Sequence, residues 1–259
     1  MRRVANCIGL IGCLLLFSNA IRAQQITVEK RSGSLADVVK KASENQVKRD
    51  TDLFRIPTPE QLKAWNKIVD SIFNNRLNDA IQIIRQLSFP YELSRFTDTT
   101  NHREYILLEE KYPLQAGWGL FIFDPKTTSP LIIEVPHPVF DSKTEFQGIE
   151  AFLQTRARAF LLAGSHRRAS KTISPCTQPA SRDAETYPMS DVAHSVSTLF
   201  HSIHETLVRL KPASVAIQLH GMGERGSCPD VFVSNGTSTV TTNSKRLLAC
   251  LTKSNVSAE

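Results

Sequence analysis

Three continuous apolar runs restrict the fold of this chain more than any other feature: LIIEV (131–135), AFLLAG (159–164) and SVAIQLH (214–220). Short runs of β-branched and aliphatic residues without polar alternation read as strands buried on both faces. Between them lie two segments with helical spacing, EFQGIEAFLQTRA and DVAHSVSTLFHSIHETLVRL. Buried strands alternating with helices predict parallel β-α-β units, whose strands all end on one rim where ligands bind. A histidine closes each run: His137 after the first, His166 after the second, His220 in the third. Three imidazoles distant in sequence are therefore expected on one rim.

The chain ahead of these units reads differently. YELSRF, EYILLEE and WGLFIFDP are short, β-branched or aromatic, and bounded by Asp, Asn, Pro and Gly, as antiparallel strands are. Residues 58–89 form a predicted helical hairpin. Leu62, Trp65, Val69, Ile72 and Phe73 recur at helical spacing, Leu77, Ile81, Ile84 and Leu87 repeat it, and Thr58-Pro59 supplies the cap and first-turn proline. No second copy of the hairpin occurs, which excludes a solenoid. Residues 24–57 are polar, with one amphipathic stretch, SLADVVKKASENQVKRD, and are expected to be a mobile or loosely docked arm. The fold class is α/β, a mixed sheet with a parallel β-α-β core in residues 90–259, preceded by the hairpin.

Residues 1–23 have the order of a secretory signal: Arg2 and Arg3, an apolar run from Cys7 to Phe17, then small residues at Ser18, Ala20 and Ala23. The run is too short to span a bilayer, so the mature chain is expected to carry no transmembrane helix and to be secreted or periplasmic. LIGC at Leu10–Cys13 resembles a lipoprotein box, but apolar residues continue past Cys13, which makes a lipid anchor the lesser reading. The leader's three arginines (Arg2, Arg3, Arg22) account for half of the net charge of +6 and leave +3. That charge is too weak and scattered for nucleic acid. Cys176, Cys228 and Cys250 remain after the leader, an odd number with no CxxC spacing; two bridged in loops and one buried is the expectation.

The chemistry concentrates around His137. Pro136 and Pro138 restrict the backbone on both sides, and Asp141 and Glu145 follow on the way into a helix. A hydrolytic zinc takes three His or carboxylate ligands and leaves a position for water. His137, His220 and either Asp141 or Glu145 meet that need. HExxH is absent, HGMGERG is too irregular for a phosphate loop, and AGSHR lacks the second glycine of a serine elbow. Arg167, next to His166, is a candidate for pairing with a substrate carboxylate. His194 is expected at the start of a helix facing the rim, with His201 and His204 further along as surface or packing residues.

VPHPVFDSKTEFQGIEAFLQTRARAFLLAGSHRRAS, SDVAHSVSTLFHSIHETL and AIQLHGM together resemble bacterial proteins of the N-formylglutamate amidohydrolase and poly-γ-glutamate hydrolase group, over about residues 130–240. The resemblance implies a zinc-carboxypeptidase type of α/β fold. It also implies Zn2+ on His137, Asp141 or Glu145, and His220, and hydrolysis of an amide beside a carboxylate, as in an acyl-glutamate or glutamyl peptide. His166, Arg167 and His194 would bind that small acidic or peptide substrate. HPVFD differs from the HxxE of the classical carboxypeptidases. The strand that carries the general-base glutamate in that group has no counterpart before Glu259, as in a truncated or divergent copy, so Glu145 or Glu224 would have to act as base. A secreted binding protein on the same fold, with hydrolysis impaired, is the alternative.

Overall fold

The computed structural model describes residues 27–176, 186–223 and 228–259. The leader, with its Cys13 reading, and Glu224 lie outside the described residues. The chain folds around one seven-stranded mixed sheet in the order β1-β2-β3-β4-β6-β5-β7. The strands are β1 Glu29–Gly33, β2 Tyr91–Asp98, β3 Glu104–Glu110, β4 Leu120–Phe123, β5 Leu131–Val135, β6 Ala159–Leu162 and β7 Val215–Gln218. The helices are α1 Leu35–Glu44, α2 Pro59–Phe73, α3 Leu77–Gln86, α4 Thr144–Thr155, α5 Leu199–Leu210 and α6 Thr242–Lys253. Antiparallel pairing joins β2, β3, β4 and β6, whereas β5 runs parallel to both β6 and β7.

Period-2 alternation of apolar side chains divides the core into two layers. Phe121, Phe123, Ile132 and Leu161 face Trp65, Ile68, Ile84, Phe200 and Ile203 of α2, α3 and α5. Ile122, Ile133, Val135, Phe160 and Leu162 face Leu35 and Val39 of α1 and Ile149 and Phe152 of α4. Apolar runs without alternation are what a sheet covered on both faces requires. The hairpin helices form where their spacing predicts; Thr58 closes a capping box with Gln61 at the start of α2. Among the described residues, no helix is long and apolar enough to cross a membrane.

Three expectations are corrected. The described part of the 24–57 arm is docked: β1 pairs in parallel with β2, α1 buries Leu35 and Val39, and Phe54 is buried. The strand EKRSG has no apolar residue, so its pattern is silent; its backbone pairing and the 2.7 Å Arg31–Glu109 ion pair hold it. The segment 191–210 is helical only from Leu199, because the Thr198 hydroxyl accepts from His201 N and starts the helix there. The three described cysteines are free; Cys228 and Cys250 are exposed and Cys176 is half-buried, so none of them is a buried packing residue.

The end of β6 is braced by a loop built on one carboxylate. Buried Glu110 Oε1 accepts from Gln115, Ala116 and Gly117 N at 2.8, 2.6 and 3.1 Å, and Oε2 accepts from Trp118 N at 2.9 Å. This curls 115–118 so that Gly119 lies against the backbone of β6. A Cβ at Gly119 would stand 2.1 Å from Leu162 O, and its φ of +119° is one that side chains rarely adopt. Glu110→Gln turns an amide N–H toward these donors and is expected to cost roughly 2–4 kcal/mol, read as a lower urea midpoint with an unchanged slope.

Candidate metal centre

The parallel pairing of β5 with β7 brings their exits together. After β5, the turn His137–Asp141 is closed by Asp141 N donating to His137 O at 2.9 Å, which turns both side chains the same way. After β7, Gly221 packs on Asp141: a Cβ there would meet Asp141 Cα and Cβ at 3.0 Å, so the chain that carries His220 approaches as close as a residue without a side chain allows. His137 Nδ1 and His220 Nδ1 each lie 3.3 Å from Asp141 Oδ2, and the two rings stand 5.1 Å apart. These three side chains offer ligand atoms all within 4.8 Å of one another, a group that could hold a metal ion. His137 and Asp141 are buried, while the His220 side chain remains 42% exposed, so the cluster opens to solvent on one side.

Hydrogen bonding assigns the protons. His137 Nε2 lies 2.8 Å from Oδ1 of Asp191, which is fully buried. Burial alone pushes the Asp191 pKa up. The hydrogen bond and charge of His137, the hydrogen bond of His194 and the charge of Arg167 together outweigh it and hold the carboxyl at about 2. An ionised carboxylate only accepts, so His137 donates from Nε2, and a cation beside Asp141 Oδ2 would meet its Nδ1. Burial and then the charge of His137 lower the His220 pKa below its ordinary 6.5 against the pull of Asp141. Electron pairs converging on one point fit a cation, and a carboxylate holding the far nitrogen of a ligand histidine is the usual support for one.

Asp191 went unrecognised in the sequence, although it opens the polar run SDVAHSVST that ends at the helix cap. Besides His137 it takes His194 Nδ1 at 3.1 Å on the same oxygen, and Arg167 Nη2 lies 2.8 Å from the other. Arg167 is thus a partner of Asp191 and is not a wholly free substrate clamp; its guanidinium also lies 5.6 Å over the Phe140 ring. His194 stands in a turn ahead of α5, stacked on Tyr187 at 3.7 Å and 4°. Its Nε2 has no hydrogen-bond partner among the described residues. His166 reaches the same rim: its Nδ1 accepts from Arg168 N at 2.9 Å, which puts the proton on Nε2, and its ring meets the Phe140 edge at 5.0 Å.

Glu145 joins the loop in another role. Its Oε2 accepts from Val139 N at 3.2 Å and supports a residue at φ +67°, so Asp141 supplies the carboxylate of the cluster. The Gln46 side chain donates to Pro138 O at 3.1 Å, and Val47 bridges Ser165, so the segment before α2 frames both rim loops. His201 pairs with Glu205 at 3.3 Å; His204, expected to be surface or packing, pairs with the buried carboxylate of Glu134 at 2.7 Å. No family model matches the chain, and neither does any curated protein or solved structure.

The pH dependence of the metal-free protein follows from Asp191. Its folded pKa lies below the ordinary 3.8, so its contribution to stability is complete above that value and is lost as pH falls through about 2. A shift of this size corresponds to about 2 kcal/mol. Asp191→Asn is expected to be less stable at pH 7 and to show a flatter stability profile between pH 4 and 2, measured by urea unfolding.

Proposed function

We propose that the chain is an exported zinc-dependent hydrolase of amide bonds beside a carboxylate, with an acyl-glutamate or glutamyl peptide as substrate. The convergence of His137 Nδ1, His220 Nδ1 and Asp141 Oδ2 on a point open to solvent carries the reading. A divalent ion held by these residues supplies Lewis acidity toward an amide carbonyl and lowers the pKa of water. The resemblance of residues 130–240 to the N-formylglutamate amidohydrolase group supports the choice of zinc and of substrate.

The chain's own residues supply the rest. His166 presents an Nε2–H, and Arg167 keeps donors beyond the one facing Asp191; both flank the exposed Phe140 ring, a setting suited to a substrate carboxylate. With Glu145 engaged by the Val139 amide, His194 is the better proton carrier. Asp191 fixes its proton on Nδ1 and Tyr187 fixes its plane, leaving Nε2 able to take a proton. The engagement of Glu145 also favours a second reading, a binding protein that holds the metal and an acidic ligand without turnover.

Calorimetric titration with Zn2+ and hydrolysis of N-formyl-L-glutamate and γ-glutamyl oligomers test the proposal. His137→Ala is expected to abolish zinc binding and turnover together. His194→Gln should keep zinc bound and lose about 10²–10⁴ in kcat. Zinc binding without turnover on either substrate selects the binding-protein reading, and turnover in His137→Ala overturns the metal mechanism.

A further inference from the structure

Glu134 is fully buried on β5, between β6 and the edge strand β7, on the strand that leads to His137, with Ile132, Ile133 and Val135 of the same strand in the core. A carboxylate in that position has a desolvation cost that an apolar residue of similar volume would avoid. Folding alone does not call for it. Its two oxygens are both used: Oε1 faces His204 Nδ1 at 2.7 Å, and Oε2 accepts from Gln218 Nε2 at 2.8 Å.

The second bond has a directional consequence. Glu134 and Gln218 are register partners across β5 and β7. Because a carboxylate accepts and does not donate, the Gln218 amide must turn its NH2 toward Glu134 and its oxygen away. That oxygen lies 3.4 Å from His220 Nε2. An imidazole that donates to that oxygen does so from Nε2, which leaves Nδ1, 3.3 Å from Asp141 Oδ2, as the nitrogen that faces a cation. His137 reaches the same state through Asp191 directly. Both imidazoles are thus prepared with the lone pair inward, one by a carboxylate in contact and the other through an amide.

We propose that Glu134 and Gln218, with His204 holding the second Glu134 oxygen, are positioning residues that set the tautomer and orientation of His220 for binding a divalent cation. The proposal rests on the metal reading of His137, Asp141 and His220 and extends it to three residues that touch no ligand atom of the ion.

The test measures Zn2+ affinity by competition with a chromophoric chelator, the visible spectrum of the Co2+-loaded protein, and the urea midpoint of the metal-free protein. Gln218→Leu, which leaves a buried Glu134 oxygen without its donor and so also lowers the metal-free midpoint, is expected to weaken zinc binding 10- to 100-fold and to alter the Co2+ spectrum. The exchanged pair Glu134→Gln/Gln218→Glu, which restores one amide–carboxylate bond and keeps an oxygen toward His220, should bind zinc near the wild-type affinity. Glu134→Gln, which frees the Gln218 amide to turn over, should weaken binding as Gln218→Leu does. If the wild-type protein binds zinc and both Gln218→Leu and Glu134→Gln bind it within about threefold, the positioning role is overturned while the metal site stands. Loss of affinity left unrescued in Glu134→Gln/Gln218→Glu, when that exchange restores the metal-free midpoint, overturns it in favour of a purely structural pair. A wild-type protein that binds no zinc removes the site and the proposal together.

Discussion

Parallel pairing on both sides of β5 is the constraint on which the rest of this structure depends. Parallel neighbours leave the sheet at the same edge, so the residues after β5, β6 and β7 are forced together although some eighty positions of sequence separate His137 from His220. The same pairing requires helical crossovers, which cover both faces and leave the strands nowhere to place a charge cheaply. Two layers of apolar side chains follow from this, and so does the cost of each buried carboxylate near the rim. Where Glu134 and Glu110 are nonetheless buried, each has both oxygens turned to particular partners, while buried Asp191 has one oxygen shared by two imidazoles and the other ion-paired with Arg167.

The rim itself is organised by oxygen atoms shared between partners. Asp141 Oδ2 faces two imidazoles, and Asp191 Oδ1 faces His137 and His194. His137 stands between these two carboxylates, its Nε2 toward Asp191 and its Nδ1 toward Asp141. Arg167 balances the charge of Asp191 from the loop after β6, so all three strand exits contribute to one electrostatic unit.

Much of this was legible in the sequence because burial on two faces writes an unmistakable pattern. LIIEV and AFLLAG are inner strands buried on both faces as read, whereas SVAIQLH, read the same way, is the half-buried edge strand β7; the histidines that close all three lie at one end of the sheet. The hairpin was legible for the same reason, through Trp65, Ile72, Ile81 and Ile84 at helical spacing. What stayed hidden was held by backbone or by polar side chains. EKRSG pairs through its main chain, and no side-chain periodicity announces that. Asp191 and Glu134 act through hydrogen bonds to residues more than fifty positions away, and spacing rules see only near neighbours. The lone acid inside LIIEV was the one available sign of Glu134. His194 was placed on a helix because its apolar neighbours continue the period, but Val196 points to solvent and Thr198 sets the helix start.

The segment from Gln46 to Asp50 touches the loop after β5 through Pro138 and the loop after β6 through Gly164, His166 and Arg168. It leaves the ribosome long before either of those loops exists. Its native contacts therefore wait for residues synthesised about a hundred positions later, and closing so long a stretch of chain must precede any reward from the contacts themselves. The helices and the β2–β3 hairpin have no such delay. The frame around the His137–Asp141–His220 group is accordingly the high-contact-order part of the molecule, the part whose formation reports that the whole chain has folded.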